Sequence, residues 1–179
     1  MARHPIPELA TPRLRLRAFD LADAPDFHAA YGDAEAMRYW DHDPSPNVAR
    51  TEKYIGHWTQ PSPDGWMMWA VARADTGRCI GMVNYHARST RHRRAEIGYI
   101  IAPAFFGQGY AKEAVEVMIA HMRDALQVHR IEAEIDPRNT RSRALVERLG
   151  FTLEAPLMRA RMRLAGCYVD SCLYALVAG

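Results

Sequence analysis

Residues 13–17 alternate strictly, with Arg13, Arg15 and Arg17 bracketing Leu14 and Leu16, and this period of two predicts a strand with one wet face. Asp20 is placed to cap a helix through Tyr31, and Asp33 to cap a second, short helix through Tyr39. Residues 41–46, Asp-His-Asp-Pro-Ser-Pro, read as a loop, and residues 47–58 as a helix. After the break Pro61-Ser62-Pro63-Asp64-Gly65, the apolar run 66–72 reads as a strand. Asp75-Thr76-Gly77 predicts a hairpin turn, so residues 79–87 pair back on it. Residues 88–94 form a basic turn, and the apolar run 97–102 is a strand that stops at Pro103. Residues 110–126 carry the clearest helical period, with Ala111, Ala114, Val115, Met118, Ile119, Met122 and Leu126 on one stripe. Residues 130–135 alternate again, Ile131, Ala133 and Ile135 against Arg130, Glu132 and Glu134. Residues 140–149 predict a short helix closed by Gly150 and Phe151. Residues 153–164 and 168–177 predict two strands joined around Ala165-Gly166. Residues 1–10 hold two prolines and no period and are expected to be a loose tail. Strands around two central helices make one mixed α+β domain over residues 1–179.

Composition narrows the function classes. The 179 residues suffice for one sizeable core, and 49% apolar with 25% charged residues is ordinary for a soluble globular chain. A net charge of +2 implies no strong field for nucleic acid or membrane. The arginines at 88, 91, 93 and 94 lack interleaved aromatics and read as a solvated hairpin, not a nucleic-acid surface. Three cysteines, an odd number, argue against a disulfide framework, so Cys79, Cys167 and Cys172 are expected as reduced thiols in a cytoplasmic protein. No secretory signal, no membrane-spanning run and no metal-ligand spacing is visible.

The chemistry concentrates where the strand 97–102 gives way to the helix from Tyr110. Gly107 and Gly109 sit in that turn. A glycine-rich turn ahead of a helix N-terminus lets backbone amides approach a phosphate closely. No Lys-Ser or Lys-Thr pair follows, which excludes a nucleotide-hydrolase phosphate loop. The third small residue of a dinucleotide fingerprint would fall at 112, which is Lys112. A phosphorylated cofactor of another kind is expected.

Several segments together resemble the Gcn5-related N-acetyltransferase family. They are Glu96-Ile97-Gly98-Tyr99, Gly107-Gln108-Gly109-Tyr110-Ala111-Lys112-Glu113-Ala114, Asn139-Thr140-Arg141-Ser142 and Leu149-Gly150-Phe151. The opening Thr11-Pro12-Arg13-Leu14-Arg15-Leu16-Arg17 and the closing Gly166-Cys167-Tyr168-Val169-Asp170 resemble its branch of ribosomal-protein N-terminal acetyltransferases. The resemblance implies the acyl-CoA N-acyltransferase fold, a mixed and mostly antiparallel central sheet flanked by helices. It implies acetyl-CoA as co-substrate and a primary amine as acceptor, on a small molecule or a protein N-terminus. A homodimer is compatible with it.

The resemblance also implies roles. Gly107, Gln108, Gly109, Tyr110 and Ala111 would hold the pyrophosphate with their amides. The pantetheine arm would lie along Ile100, Ile101 and Ala102, where the strand splays from strand 130–135. An amide between Tyr99 and Ile101 would face the thioester oxygen. Asn139 would bridge to the pantetheine amides; locally it is equally a turn residue. Glu96 would take the amine proton through a water, or else it is simply solvated or paired with an arginine such as Arg94. The family's usual tyrosine proton donor falls at Val146, which cannot donate, so Ser142, three residues after Asn139, is the candidate; its other reading is a first-turn residue satisfying backbone. Ala104 replaces a common Gln or Arg of the family. Residues 158–163 hold arginines at 159, 161 and 163 and no carboxylate, unlike the branch, which points toward an acidic acceptor or a solvated strand face. The loop around Trp40 would line the acceptor pocket. A second functional class stays open on the sequence, a non-catalytic acyl-CoA-binding sensor.

Overall fold

The computed structural model describes residues 5–59, 61, 62, 64–164 and 166–179. Among the described residues eight strands form a single sheet: β1 (Leu9–Ala10), β2 (Leu14–Arg17), β3 (Met67–Arg73), β4 (Cys79–Ser89), β5 (Arg94–Ile101), β6 (Arg130–Ile135), β7 (Thr152–Leu164) and β8 (Cys167–Val177). Their order is β1-β2-β3-β4-β5-β6-β8-β7, and every neighbouring pair is antiparallel except β5 with β6. Four α-helices, α1 (Ala24–Tyr31), α2 (Val48–Trp58), α3 (Tyr110–Asp124) and α4 (Thr140–Arg148), flank it.

The alternation read from the sequence sorts side chains onto two faces. Leu14, Leu16, Trp69, Val83, Ile97 and Ile131 pack with Val115, Met118 and Met122 of α3. Burial of each of those three α3 side chains contributes about 1.5–3 kcal/mol. The other face buries Ala70, Met82 and Ile100 against Phe27, Tyr31, Ile55 and Trp58 of α1 and α2.

The two caps expected from the sequence are present, each with a different outcome. Asp20 caps a 3-10 turn, Leu21–Asp23, before α1 begins. Asp33 does accept from the Glu35 and Ala36 amides, but residues 34–39 form successive turns and not a helix. Met37 and Trp40 there are drawn into the aromatic cluster of α1 and α2, which competes with helical continuation. Pro156 is tolerated within β7 because that strand lies at the sheet edge, where its missing N–H costs no ladder bond.

Residues 5–10 are not a loose tail. Leu9–Ala10 pairs with β2, Ile6 and Leu9 pack on the core, and the Pro7 carbonyl accepts from Trp69 Nε1 at 2.8 Å. Residues 1–4 of that expected tail, and Ala165 of the last turn, lie outside the described residues. Cys79 and Cys172 are buried and Cys167 is exposed, all three free thiols. Among the described residues no helix is long and apolar enough to cross a membrane.

A polar clamp ties the N-terminal strands to α3. Glu113 accepts from the Thr11 hydroxyl and from Arg13 Nε at 2.7 Å. Burial pushes the Glu113 carboxyl up, but the bonds from Thr11 and Arg13 outweigh it and hold it below its usual value of 4.5. A lowered folded value means stability that is present above the unfolded value and is lost as pH falls through the folded one. Glu113→Gln should therefore cost roughly 1–2 kcal/mol at pH 7, discounted for the half-exposed Arg13. The gap to wild type should close in melts taken well below pH 4.5. An equal gap at both pH values would show that the clamp is not electrostatic.

Candidate active site

β5 and β6 run side by side only over Arg94–Arg130, Ala95–Ile131 and Glu96–Glu132. Beyond Glu96 they part, each still held on its far side, β5 by β4 through Ile101 and β6 by β8 through Ile135. A cleft of about 1500 Å³ runs through the opening. Both strands, the Gly107–Gly109 turn, the first turns of α3 and α4, and the loop between α1 and α2 contribute to its walls.

The register decides which amides the opened edge offers. The Ala102 N–H donates to the Ile80 carbonyl at 2.8 Å, so it faces β4. Alternation along the strand sends the Ile100 amide the same way, and turns the Tyr99 and Ile101 amides toward the opening. Ala102 is buried and does not line the cleft. Of the three residues expected along the pantetheine arm, Ile101 offers a free-edge amide, Ile100 offers its side to the wall, and Ala102 drops out.

Gly107 and Gly109 adopt φ of 74° and 82°, the left-handed region that a side chain disfavours. Nothing lies within 4 Å of where a Gly107 Cβ would stand. Gly109 is the N-cap of α3 and supplies no side-chain cap, which leaves the first-turn amides of Tyr110 and Ala111 open to a ligand. Gln108 stands off the cleft wall; its carbonyl accepts from Arg13 Nη1 at 3.0 Å. Because the peptide is planar and trans, the Gly109 N–H on the same peptide points away from Arg13. Arg13 also lies over the Tyr110 ring, 4.5 Å from its centroid, and pairs with Glu113. Arg13, immediately ahead of β2, thus braces the glycine turn from behind, a role that the strand pattern did not disclose.

Glu96 lies on the face of β5 toward α1 and α2, opposite His86 of β4 in register. Its Oε1 is 3.4 Å from His86 Nε2. Arg94, the partner expected for it, instead reaches Glu132 at 3.4 Å. Glu96, His86, Trp40 and Asp41 share the cleft wall.

Asn139 caps α4, its Oδ1 accepting from the Ser142 N–H at 3.1 Å. Ser142 lines the cleft, and its Oγ lies 2.6 Å from the Tyr99 hydroxyl. Burial pushes the Tyr99 hydroxyl up to about 12, opposed by the hydrogen bond to Ser142. The Tyr99 side chain is a functional group beyond the motif and the backbone amide that sequence discloses. The period-two pattern, which puts Tyr99 on the same face as Ile97 and Ile101, was the signal that its ring faces the helices.

The strand β7 does hold a carboxylate, Glu154, which lies earlier than the 158–163 stretch. It binds Arg130 Nη1 at 2.9 Å and stands off the cleft wall. Of the β7 arginines, Arg161 reaches the cleft, where it meets Glu134 at 3.3 Å, so the guanidinium expected to attract an acidic acceptor already has a carboxylate. Contacts among the described residues join the α1–α2 loop to α4 and its lead-in across the cleft lining: Tyr39 to the Arg138 carbonyl at 3.3 Å and Glu35 to Arg141 at 3.0 Å.

Comparison with known proteins places this architecture. The family described as an acetyltransferase (GNAT) domain matches residues 13–152. The chain is 30% identical over 172 residues to the uncharacterized N-acetyltransferase YoaA of Bacillus subtilis (strain 168), covering 96% of this chain and 97% of that one. The crystal structure of spermidine N-acetyltransferase from Vibrio cholerae, in complex with CoA and spermine, superimposes with a TM-score of 0.79 at 23% identity, covering 93% of this chain and 96% of that one. The ribosomal-protein-S5-alanine acetyltransferase of Vibrio fischeri superimposes with a TM-score of 0.81 at 20% identity, covering 96% and 97%. At that identity the two structures speak to the shared fold.

Proposed function

Because this chain belongs to the acetyltransferase (GNAT) family, we propose that it moves an acetyl group from acetyl-CoA directly to the nitrogen of a primary amine, on a small molecule or at a protein N-terminus, and that residues 1–179 act as one transferase domain. Membership in a family of enzymes sets the non-catalytic sensor aside. The observation that carries the reading is the parting of β5 from β6 after Glu96, beside a glycine turn at a helix N-terminus.

The residues present fit acetyl-CoA. The Gly107–Gly109 turn and the open amides of α3 suit a pyrophosphate. The freed edge of β5 suits the amides of an extended arm, in the manner of an added strand. Acetyl-CoA supplies an acetyl group already activated as a thioester. Glu96 accepts the amine proton through a water, and His86 beside it fixes where that carboxylate points. The Tyr99 and Ile101 amides are donors for negative charge on the carbonyl oxygen. Ser142 holds a hydroxyl for the departing sulfur.

The test is acetyl-CoA with four acceptor classes: spermidine, a peptide with a free N-terminus, an aminoglycoside and a small alkylamine. Release of free thiol together with an acetylated product by mass is expected from at least one class. No thiol release above acetyl-CoA alone with any of them would overturn the reading. Ser142→Ala should slow that turnover roughly ten- to a thousandfold while CoA affinity stays within a few fold. A variant of lowered melting temperature and unchanged turnover would return Ser142 to a helix-turn role.

A further inference from the structure

Tyr99 and Ser142 are 43 residues apart in sequence, on β5 and on the first turn of α4, and both line the cleft. The Tyr99 hydroxyl has two acceptors on Ser142, Oγ at 2.6 Å and the carbonyl at 3.3 Å. The phenol has one hydrogen for these two acceptors; it is the more acidic of the two hydroxyls and Oγ is much the nearer, so we assign Tyr99 as donor and Ser142 Oγ as acceptor in the short contact. Ser142 has a single hydroxyl hydrogen, and this arrangement leaves it unspent. The Asn139 cap holds the Ser142 backbone in place, so only the hydroxyl torsion is left to set.

We propose that Tyr99 is a positioning residue for the leaving group: its hydrogen bond to Ser142 Oγ turns the Ser142 hydrogen into the cleft and strengthens it as a donor to the sulfur of CoA. This goes beyond the reading of Ser142 as the hydroxyl beside that sulfur, and rests on it. Tyr99 makes and breaks no covalent bond. As the carbon–sulfur bond breaks, its electron pair stays on sulfur, and the one proton the sulfur gains matches the one the amine gives up. A donor that already accepts a hydrogen bond is polarised and donates better. A phenol is protonated at neutral pH, and burial raises the titration of Tyr99 further, to about 12.

The test reads the bound thiol of CoA itself and needs no acceptor. Thiolate absorbance in the ultraviolet is followed against pH for CoA on the protein, with desulfo-CoA on the same protein as reference. Removing the donor in Ser142→Ala should raise the bound thiol's pKa by roughly one unit. Tyr99→Phe should raise it by roughly half a unit, and the double variant should match Ser142→Ala alone. Replacing Tyr99 by a ring-fluorinated tyrosine, of the same shape and more acidic, should move it the opposite way. Melting temperatures on the same preparations report folding separately. A shift with Ser142→Ala and none with either Tyr99 variant would overturn the proposal and leave the reading of Ser142 intact. No shift with Ser142→Ala would sink the reading, and the proposal with it. Additive shifts, or a shift with Tyr99→Phe alone, would mean that Tyr99 acts on sulfur directly, which also overturns the proposal.

Discussion

Replacing Gly109 with aspartate should weaken acetyl-CoA binding roughly a hundred- to a thousandfold. Two costs add. The residue adopts φ of 82°, where a side chain costs about 1–2 kcal/mol, so the free turn of a variant relaxes out of this conformation and CoA must restore it on binding. A carboxylate placed a few ångströms from a pyrophosphate adds roughly 1–4 kcal/mol of repulsion, depending on how much water screens it. Arg13 lies close, with Nη2 3.5 Å from the position of a Gly109 Cβ, but its guanidinium is engaged by Glu113 and by the Gln108 carbonyl. Gly109→Ala carries the backbone cost alone and should lose about tenfold. Calorimetric titration of both variants separates the two contributions. An aspartate variant that binds like wild type would move the pyrophosphate away from this turn.

Glu96→Gln should lower turnover on the best acceptor roughly a hundredfold at pH 7. A primary alkylamine titrates near ~10.4, so at neutral pH nearly all of it arrives protonated, and a base in the cleft is worth most there. As pH approaches that value the free amine is plentiful and the deficit should shrink to a few fold. The sign is therefore a loss at low pH that heals toward high pH. Glutamine keeps the size of the side chain, so the contact with His86 is perturbed little and the change isolates the lost acid–base function. Parallel pH–rate curves for variant and wild type would leave Glu96 as a structural partner of His86.

How far the sequence carried depends on how far apart the interacting groups lie. The strands at 13–17 and 130–135, the helices read over 47–58 and 140–149 and the long helix from Tyr110 all emerge close to where spacing placed them. Each is set by neighbours within one or two turns, so the pattern suffices. Boundaries slipped where tertiary packing outweighed local preference. Residues 34–39 gave up a helix so that Met37 could reach the aromatic cluster, and Ile6 and Leu9 ordered a stretch whose prolines suggested none.

The sequence by itself determined the chemistry of the parts: a glycine turn ahead of a helix, a carboxylate at the start of a strand, a serine in the first turn behind an asparagine. Each of these is a property of residue type and short spacing, and each survives any arrangement of the rest of the chain. Only the tertiary structure decided what each part meets. Arg13 braces a turn 95 residues away, and Tyr99 finds Ser142 across 43. Glu96 faces His86 and not Arg94 because strand register sets cross-strand partners. The choice between the Ile100 amide and those of Tyr99 and Ile101 came from one hydrogen bond at Ala102, since a backbone alternates and a single fixed bond sets the phase of the whole strand. The cleft itself belongs to no segment: it exists because β5 and β6 are each tied on their outer sides and part after Glu96, a consequence of two ladders competing for the same strands.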